Sequence, residues 1–450
     1  MNMMWASFSS NWKQGGRVPS GVWVFLFSYG LVIFSSPMPQ TVSWIEIFMG
    51  CGLILGGVLL LKEAMPYSGV QKNLRVAILL ALVLIALPLI VGLIRGNAWA
   101  NMARDMVPLV FLLAPAILLL YKATKTSRTQ LMRLVIAMLL MVGTATAATF
   151  YLGVQKEVGS AGNMLEIVRL GFGQMEASQA SQASQASQSR DDVHDKARIN
   201  LFLKLYDPAL LFTAVFLACW GVVWMIESWD RYIPGALMLA LGSAIVFCFM
   251  MLGLRAYTAL FVLTTGLVCL SKARARGFYL RLVPVLILAG IAFWPQIEAV
   301  MQLLLTKQRL TGTNGKSAEW QAVFSAVLQS PATLMLGIGW GGLLDNPIFQ
   351  APTRFTHSAM SFFLLKSGIA GLICCLLYLM AQLKGRMREF WVRFSTPVLI
   401  IYISCLSPLL IGLLFQPTYK TLSFGMILAL LVVLHSTAGM ADDSDENKAD

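Results

Sequence analysis

A few polar residues stand out in an otherwise apolar chain, and their types suggest acid–base chemistry beside a bound phosphate. His357 opens an apolar run, and Arg255 lies in a short turn between two apolar runs. Imidazole exchanges protons near neutral pH, and a guanidinium group holds phosphate oxygens through paired hydrogen bonds. The simpler alternatives are a surface histidine bonded to the backbone, and an arginine that extends to the lipid headgroups.

Other cations could hold the same anion. The candidates are Arg104, Arg198, Arg309, Lys316 and Arg354. A solvated loop accounts equally well for Arg309 and Lys316, and a local ion pair with Asp105 would account for Arg104. All of them fall on the predicted outer side of a membrane, where cations are normally scarce, and this excess favours an anionic ligand.

The elements that must position these residues lie mainly in one stretch, residues 336–371. It begins with a glycine-rich turn at 337–342, continues through a polar loop with two prolines, and reaches an apolar helix that carries two further glycines. An amphipathic helix is predicted just upstream at 318–328. It is expected to end before Pro331, because the residue that precedes a proline disfavours the helical conformation. Residues 312–317 resemble a nucleotide-phosphate loop, but they lack its first glycine and a preceding buried strand.

Composition places these residues in a membrane protein. The chain has 450 residues, of which 58% are hydrophobic and 12% are charged, against roughly 25% charged in soluble domains. Apolar runs of about 20 residues, long enough to cross the hydrocarbon layer, recur along its length. The sequence therefore predicts an all-α polytopic membrane protein with about 12 transmembrane helices. The predicted spans are 20–36, 42–62, 74–94, 105–121, 129–152, 207–226, 233–252, 255–271, 278–296, 358–382, 395–416 and 419–437.

The distribution of Lys and Arg sets the predicted orientation. Basic residues gather in alternate short loops, which places both termini in the cytoplasm and two long loops, 153–206 and 297–357, on the outer face. The same clustering argues against nucleic acid as the partner of a chain whose net charge is +13. The seven cysteines lie within apolar runs and are expected to be inert buried thiols.

The predicted organisation has six segments. They are spans one to five (1–152), a loop with an Ala-Ser-Gln repeat (153–206), spans six to nine (207–296), a large loop with the histidine segment (297–357), spans ten to twelve (358–437) and an acidic tail (438–450). The repeat is expected to be disordered, because small polar residues cannot offset the entropy of ordering. No small-residue cleavage site follows the first span, so we expect it to be an anchor.

One pattern in the stretch is specific enough to indicate a family. His357 is followed by Ser358, nine residues, Gly368, two residues and Gly371. This spacing resembles the signature of the bacterial O-antigen ligase family, within the superfamily of ligases and polymerases that act on lipid-linked glycans. The glycine-rich turn resembles that family's GxGxG turn. Arg255 occupies the place of a family arginine, although the leucine that should follow at 259 is found at 260.

The resemblance implies a metal-independent, inverting glycosyltransferase of the bacterial inner membrane, with a periplasmic active site and no cofactor. The donor would be O-antigen polysaccharide on undecaprenyl pyrophosphate, and the acceptor would be a sugar hydroxyl of the lipid A core. His357 would deprotonate or orient that hydroxyl. Arg255, Arg309 and Lys316 would hold the pyrophosphate and stabilise its leaving charge, with Arg104, Arg198 and Arg354 as further contacts.

Three other functions remain open at this point. An O-antigen polymerase uses the same donor but often carries arginine followed after ten residues by glycine, a spacing absent after Arg169, Arg190, Arg198 and Arg309. A protein O-oligosaccharyltransferase belongs to the same superfamily. A flippase or transporter of a lipid-linked anion would use the cations to line a path and would need no chemistry.

Overall fold

A computed structural model of the chain describes residues 19–35, 44–63, 72–106, 109, 125–158, 204–251, 254–272, 278–292, 294–295, 298, 301–302, 316–347, 351–383 and 396–446. Two candidate site residues, Arg198 and Arg309, lie outside these ranges, as does the Ala-Ser-Gln repeat. The predictions made for them are therefore not addressed by the structure.

The described chain is almost entirely helical, and we number its helices α1 to α14. They are α1 (Ser20–Gly30), α2 (Trp44–Glu63), α3 (Lys72–Ile94), α4 (Trp99–Met106), α5 (Lys125–Val158), α6 (Pro208–Glu227), α7 (Tyr232–Met251), α8 (Arg255–Ser271), α9 (Val283–Ala292), α10 (Lys316–Val327), α11 (Pro331–Leu336), α12 (Ala359–Leu383), α13 (Thr396–Leu414) and α14 (Leu422–Glu446). Two short strands, β1 (Leu344–Asn346) and β2 (Ala351–Thr353), pair antiparallel, with Leu344 opposite Thr353.

The helices have the composition of a membrane protein. Five of them, α5, α6, α7, α12 and α13, are long and apolar enough to cross a membrane, and six shorter apolar helices lie at other predicted spans. The predicted span at 105–121 falls mostly outside the described residues. The all-α membrane class is therefore supported, while the number of crossings and their orientation stay predictions.

Helix α6 forms the centre of the bundle. It is buried along nearly its whole length and packs against α5, α7, α8 and α13. Asp207 caps its first turn by accepting a hydrogen bond from the Ala209 amide at 2.8 Å, and Pro208 occupies the first helical position, where a missing amide hydrogen costs nothing. Glycines at 221 and 235 let the backbones of α6 and α7 touch, as is common between helices in membranes.

The residues singled out in the sequence gather at one end of this bundle. The amphipathic helix predicted at 318–328 is α10, and it ends before Ser330, whose hydroxyl caps α11. Helices α10 and α11 both pack against α12, while β1 packs on α10. The start of α12 is thereby fixed between elements of the loop that precedes it.

Candidate active site

The imidazole of His357 is held by a buried carboxylate. His357 Nδ1 lies 3.1 Å from Glu319 Oε1, and the His357 amide donates to both Glu319 oxygens at 3.3 and 3.1 Å. Asn346 Nδ2 donates to Glu319 Oε1 at 2.8 Å. The Glu319 side chain is 2% exposed and that of His357 is 22% exposed. A carboxylate in this position fixes the ring orientation and stabilises an imidazolium, so the pair is suited to taking a proton.

Local sequence explains why Glu319 faces inward. Glu319, Val323 and Val327 recur at a spacing of four residues, so they share one face of α10 and all three are buried. Val323 packs in a small apolar cluster with Leu364 and Leu365 of α12. The carboxylate also sits in the first turn of α10, where the helix dipole favours a negative charge.

The environment of Glu319 keeps it ionised. Burial alone would raise the pKa of this carboxyl group, because it disfavours the charged form. The hydrogen bonds and charge of His357 and the amide of Asn346 outweigh that effect and lower the pKa of Glu319 below its ordinary value. The histidine therefore faces a negatively charged partner.

Lys316, one of the predicted phosphate-binding cations, lies near Glu319, and a second one, Arg255, lies near Lys316. Burial lowers the pKa of Lys316, the nearby charge of Glu319 opposes that shift, and the nearby charge of Arg255 adds to it. Arg255 and Lys316 are therefore close enough to repel each other, and a bound anion would relieve that repulsion. Lys316 Nζ also lies 5.4 Å from the centre of the Phe415 ring, a cation–π distance that favours the charged form.

The glycine-rich turn fills a break in α12. Gly368 has φ 64° inside the helix, so the helix is interrupted there, and Gly337 has φ 73°. The Ile338 and Gly339 amides donate to the carbonyls of Leu365 and Lys366 at 2.8 and 3.0 Å. A side chain at either glycine would collide with the backbone of the other element. The two glycine patterns seen in the sequence therefore form one structural unit.

This unit encloses a fully buried ion pair. Lys366 Nζ lies 2.8 Å from Asp105 Oδ2 and donates to the Gly342 carbonyl at 2.6 Å, while the Gly341 amide donates to the same Asp105 oxygen at 2.9 Å. The Lys366 and Asp105 side chains are 0% and 1% exposed. With its charge neutralised and its hydrogen bonds made to turn and carboxylate, Lys366 ties α12 to α4.

Two more cations adjoin that pair. Arg354 Nη1 lies 4.0 Å from Asp105 Oδ1, and the Arg354 side chain is 27% exposed. Lys420 Nζ lies 4.4 Å from the Phe362 ring centre and 5.2 Å from that of Phe355. Burial lowers the pKa of Lys420 to about 7; the charge of Asp105 opposes the shift, and the charges of Lys366 and Arg354 add to it.

The structure therefore sorts the predicted residues into groups. His357 and Lys316 lie near Glu319 and Arg255 lies near Lys316, whereas Arg354 belongs to the neighbouring cluster. The local ion pair of Arg104 with Asp105 offered as an alternative is not the one seen, because Asp105 turns inward to Lys366 and the Arg104 side chain is exposed.

Sequence reasoning missed Glu319, Lys366 and Lys420. A lysine inside a predicted span is a functional or structural signal by default, and this signal could have identified Lys366. Lys420 stands at the outer end of the last predicted span, where the orientation rule makes a cation unusual. Glu319 is the acidic residue of the amphipathic helix in the large loop.

No family model, no curated protein and no solved structure matches this chain.

Proposed function

We propose that the protein is an O-antigen ligase, which transfers O-antigen polysaccharide from undecaprenyl pyrophosphate to the lipid A core on the periplasmic face of the bacterial inner membrane. One observation carries the proposal: an imidazole is held by a buried carboxylate, the cation Lys316 lies near that carboxylate, and Arg255 lies near Lys316. A base next to an anion site is what glycosyl transfer from a diphosphate requires. The resemblance of the His357 segment to the ligase family adds the substrate class.

In the proposed reaction, His357 takes the proton of the acceptor hydroxyl as its oxygen attacks the anomeric carbon. Because Nδ1 faces Glu319, this proton would pass to Nε2, and Glu319 would stabilise the imidazolium that forms. The bond from the anomeric carbon to the pyrophosphate oxygen breaks with its electron pair on that oxygen, and configuration inverts. The proton is then lost to the departing diphosphate or to water.

The cations act on the leaving group. As the bond breaks, negative charge grows on the diphosphate, and Arg255 and Lys316 would stabilise it more strongly than in the bound donor. The linkage is already activated, so the reaction needs no nucleotide. Arg309 is a further predicted contact of the diphosphate.

A small apolar cavity lies beside the site. Its walls include Phe363 and Tyr378 of α12 and Tyr419 of the turn before α14. Tyr419 donates a hydrogen bond to the carbonyl of Thr356, the residue before His357, at 3.2 Å. This hydrogen bond connects the wall of the cavity to the segment that carries His357.

The test is product analysis with purified protein in liposomes that contain the labelled lipid-linked polysaccharide and lipid A core. We expect label to appear on lipid A core, at a rate that requires the added donor and no nucleotide. Three outcomes would contradict the proposal. Longer undecaprenyl-linked chains would indicate a polymerase, and a glycosylated protein would indicate an oligosaccharyltransferase. Movement of intact donor across the bilayer would indicate a transporter.

A further inference from the structure

A second group of cations lies next to the dyad of His357 and Glu319 and has more positive than negative charge. Among the described residues, Asp105 is the carboxylate that acts on this group, and Lys366 neutralises it in a buried contact of 2.8 Å. Arg354 reaches the same carboxylate only at 4.0 Å, and Lys420 is close enough to feel the charges of Asp105, Lys366 and Arg354. Two cations therefore remain in excess of the carboxylate.

These two cations are poorly satisfied by the protein. Within the described part of the chain, no oxygen accepts a hydrogen bond from Lys420 Nζ or from the Arg354 guanidinium. Lys420 instead lies over aromatic rings, with Phe362 at 4.4 Å, Phe355 at 5.2 Å and Tyr419 at 5.8 Å from its nitrogen. Aromatic faces attract a cation but offer it no oxygen acceptor, so the ammonium group would gain hydrogen bonds from an anionic ligand.

The position of the pair relates it to the site. Arg354 is three residues before His357, and Tyr419, the neighbour of Lys420, is bonded to the Thr356 carbonyl. Lys316 lies over Phe415, at the other end of the same short connection between α13 and α14. Lys316, with Arg255 close to it, therefore lies on the Glu319 side of the histidine segment, and Arg354 and Lys420 lie on the Asp105 side.

We propose that Arg354 and Lys420 bind an oxyanion, a phosphate or a carboxylate, on the acceptor glycan, while Arg255 and Lys316 hold the diphosphate of the donor. This inference rests on the proposed function, and it moves Arg354 from the donor, to which the sequence assigned it, to the acceptor. One diphosphate provides the charge for one pair of cations, and the second pair needs an anion of its own. An anionic acceptor would be held with its hydroxyl at His357.

Burial is the main cause that lowers the pKa of Lys420, and neighbouring cations lower it further. A bound anion would offset the repulsion from the neighbouring cations and raise the pKa of Lys420. Anion binding and protonation of Lys420 therefore favour each other. The Arg354 guanidinium would supply the paired hydrogen bonds.

The experiment measures binding of the core oligosaccharide, released from its lipid anchor, to the full-length protein in detergent. Three forms are compared: native, dephosphorylated and carboxyl-reduced. We expect the wild-type Kd to rise by about 10- to 100-fold in one of the two modified forms, which identifies the anion. Lys420→Gln should bind all three forms with the weak Kd that the wild type shows for the form lacking the recognised anion. Lys420→Arg should recover most of the wild-type affinity for the native form.

Lys272→Gln is the matched control, because it removes a lysine charge at the opposite end of α8, where Lys272 pairs with Glu227 at 3.2 Å. Lys272→Gln should show the same differences in Kd among the three forms as the wild type. Equal binding of all three forms by the wild type would overturn the proposal without any variant, even if Lys420→Gln does not fold. Binding of the donor is measured separately: a loss of donor binding in Lys420→Gln would also overturn it, while absence of transfer by the wild type would count against the proposed function alone.

Discussion

Two short contacts between polar side chains lie near each other, and they differ in exposure more than in distance. His357 and Glu319 are 3.1 Å apart, and Lys366 and Asp105 are 2.8 Å apart. The lysine and its aspartate are sealed between the glycine turn and the broken helix, whereas 22% of the imidazole is open. The comparison teaches that a short contact between titratable side chains is structural when both are sealed, and is suited to chemistry when one faces the outside.

The largest effect on stability is expected where the sealed pair is broken. Lys366→Met leaves the Asp105 carboxylate buried without its main partner, and we expect a loss of about 3–5 kcal/mol in the free energy of unfolding. The double variant Asp105→Asn, Lys366→Met removes both charges and should recover a large part of that loss. Thermal unfolding in detergent measures both. A single variant as stable as the wild type would show that the pair contributes little.

The partly open pair should affect the rate of transfer. In Glu319→Gln the imidazole loses the carboxylate that orients it and stabilises its charged form, so turnover should fall by about 10²-fold. Asp345→Asn is the control, because Asp345 is an exposed carboxylate beside Asn346 in β1. Initial rates of transfer with both substrates saturating are the measurement. Equal rates in the two variants would remove Glu319 from the mechanism.

The glycine unit that separates the two pairs can be strained directly. Gly368→Ala places a side chain at φ 64°, where its Cβ would lie 2.4–2.5 Å from backbone atoms of residues 334 and 335. We expect a loss of about 1–3 kcal/mol from the backbone conformation alone, read as a lower melting temperature. Gly266→Ala in α8 is the control, since nothing lies within 4 Å of its added Cβ, and it should be neutral or slightly stabilising. Equal melting temperatures would argue against the break in α12.

The smallest effect concerns pH. The pKa of Lys420 is lowered to about 7, so its ammonium form, which binds anions, is present below pH 7 and declines above it. The ratio of kcat/KM for the anionic acceptor, wild type over Lys420→Gln, should therefore fall by up to about tenfold per pH unit above 7. Taking the ratio cancels the titration of groups common to both proteins. Asp105, Lys366, Arg354 and Tyr419 face Lys420, and Lys420→Arg should give a ratio that does not vary over this range.

The sequence was most informative where one physical requirement dominates. The length of the apolar runs predicted the membrane helices, and the position of Pro331 predicted the end of α10. The glycines of the turn and of α12 were recognised as separate motifs, but their contact was not predictable, because it depends on the tertiary approach of two distant segments. The same holds for Lys366 and Asp105, which lie far apart in the chain and pair only after α4 and α12 have packed.

The candidate site was predicted in part. His357 stood out by its chemistry, and Arg255 by its position in an apolar hairpin. Glu319 did not, since one acidic residue on an amphipathic helix is ordinarily solvated, and only the packing of α10 against α12 turns it toward the histidine. Arg354 looked like another contact for the donor because it is close to His357 in sequence, whereas its surroundings are set by residues from α4, α12 and the turn at 417–420.

The central claim is that His357 moves a proton beside a bound diphosphate, and the most direct test measures turnover and donor binding in the same preparations of wild type and His357→Ala. We predict that turnover falls by about 10²- to 10⁴-fold, while the Kd of the lipid-linked donor and the melting temperature stay close to those of the wild type. Turnover that survives in folded His357→Ala, or a loss that is fully explained by weaker donor binding, would contradict the account.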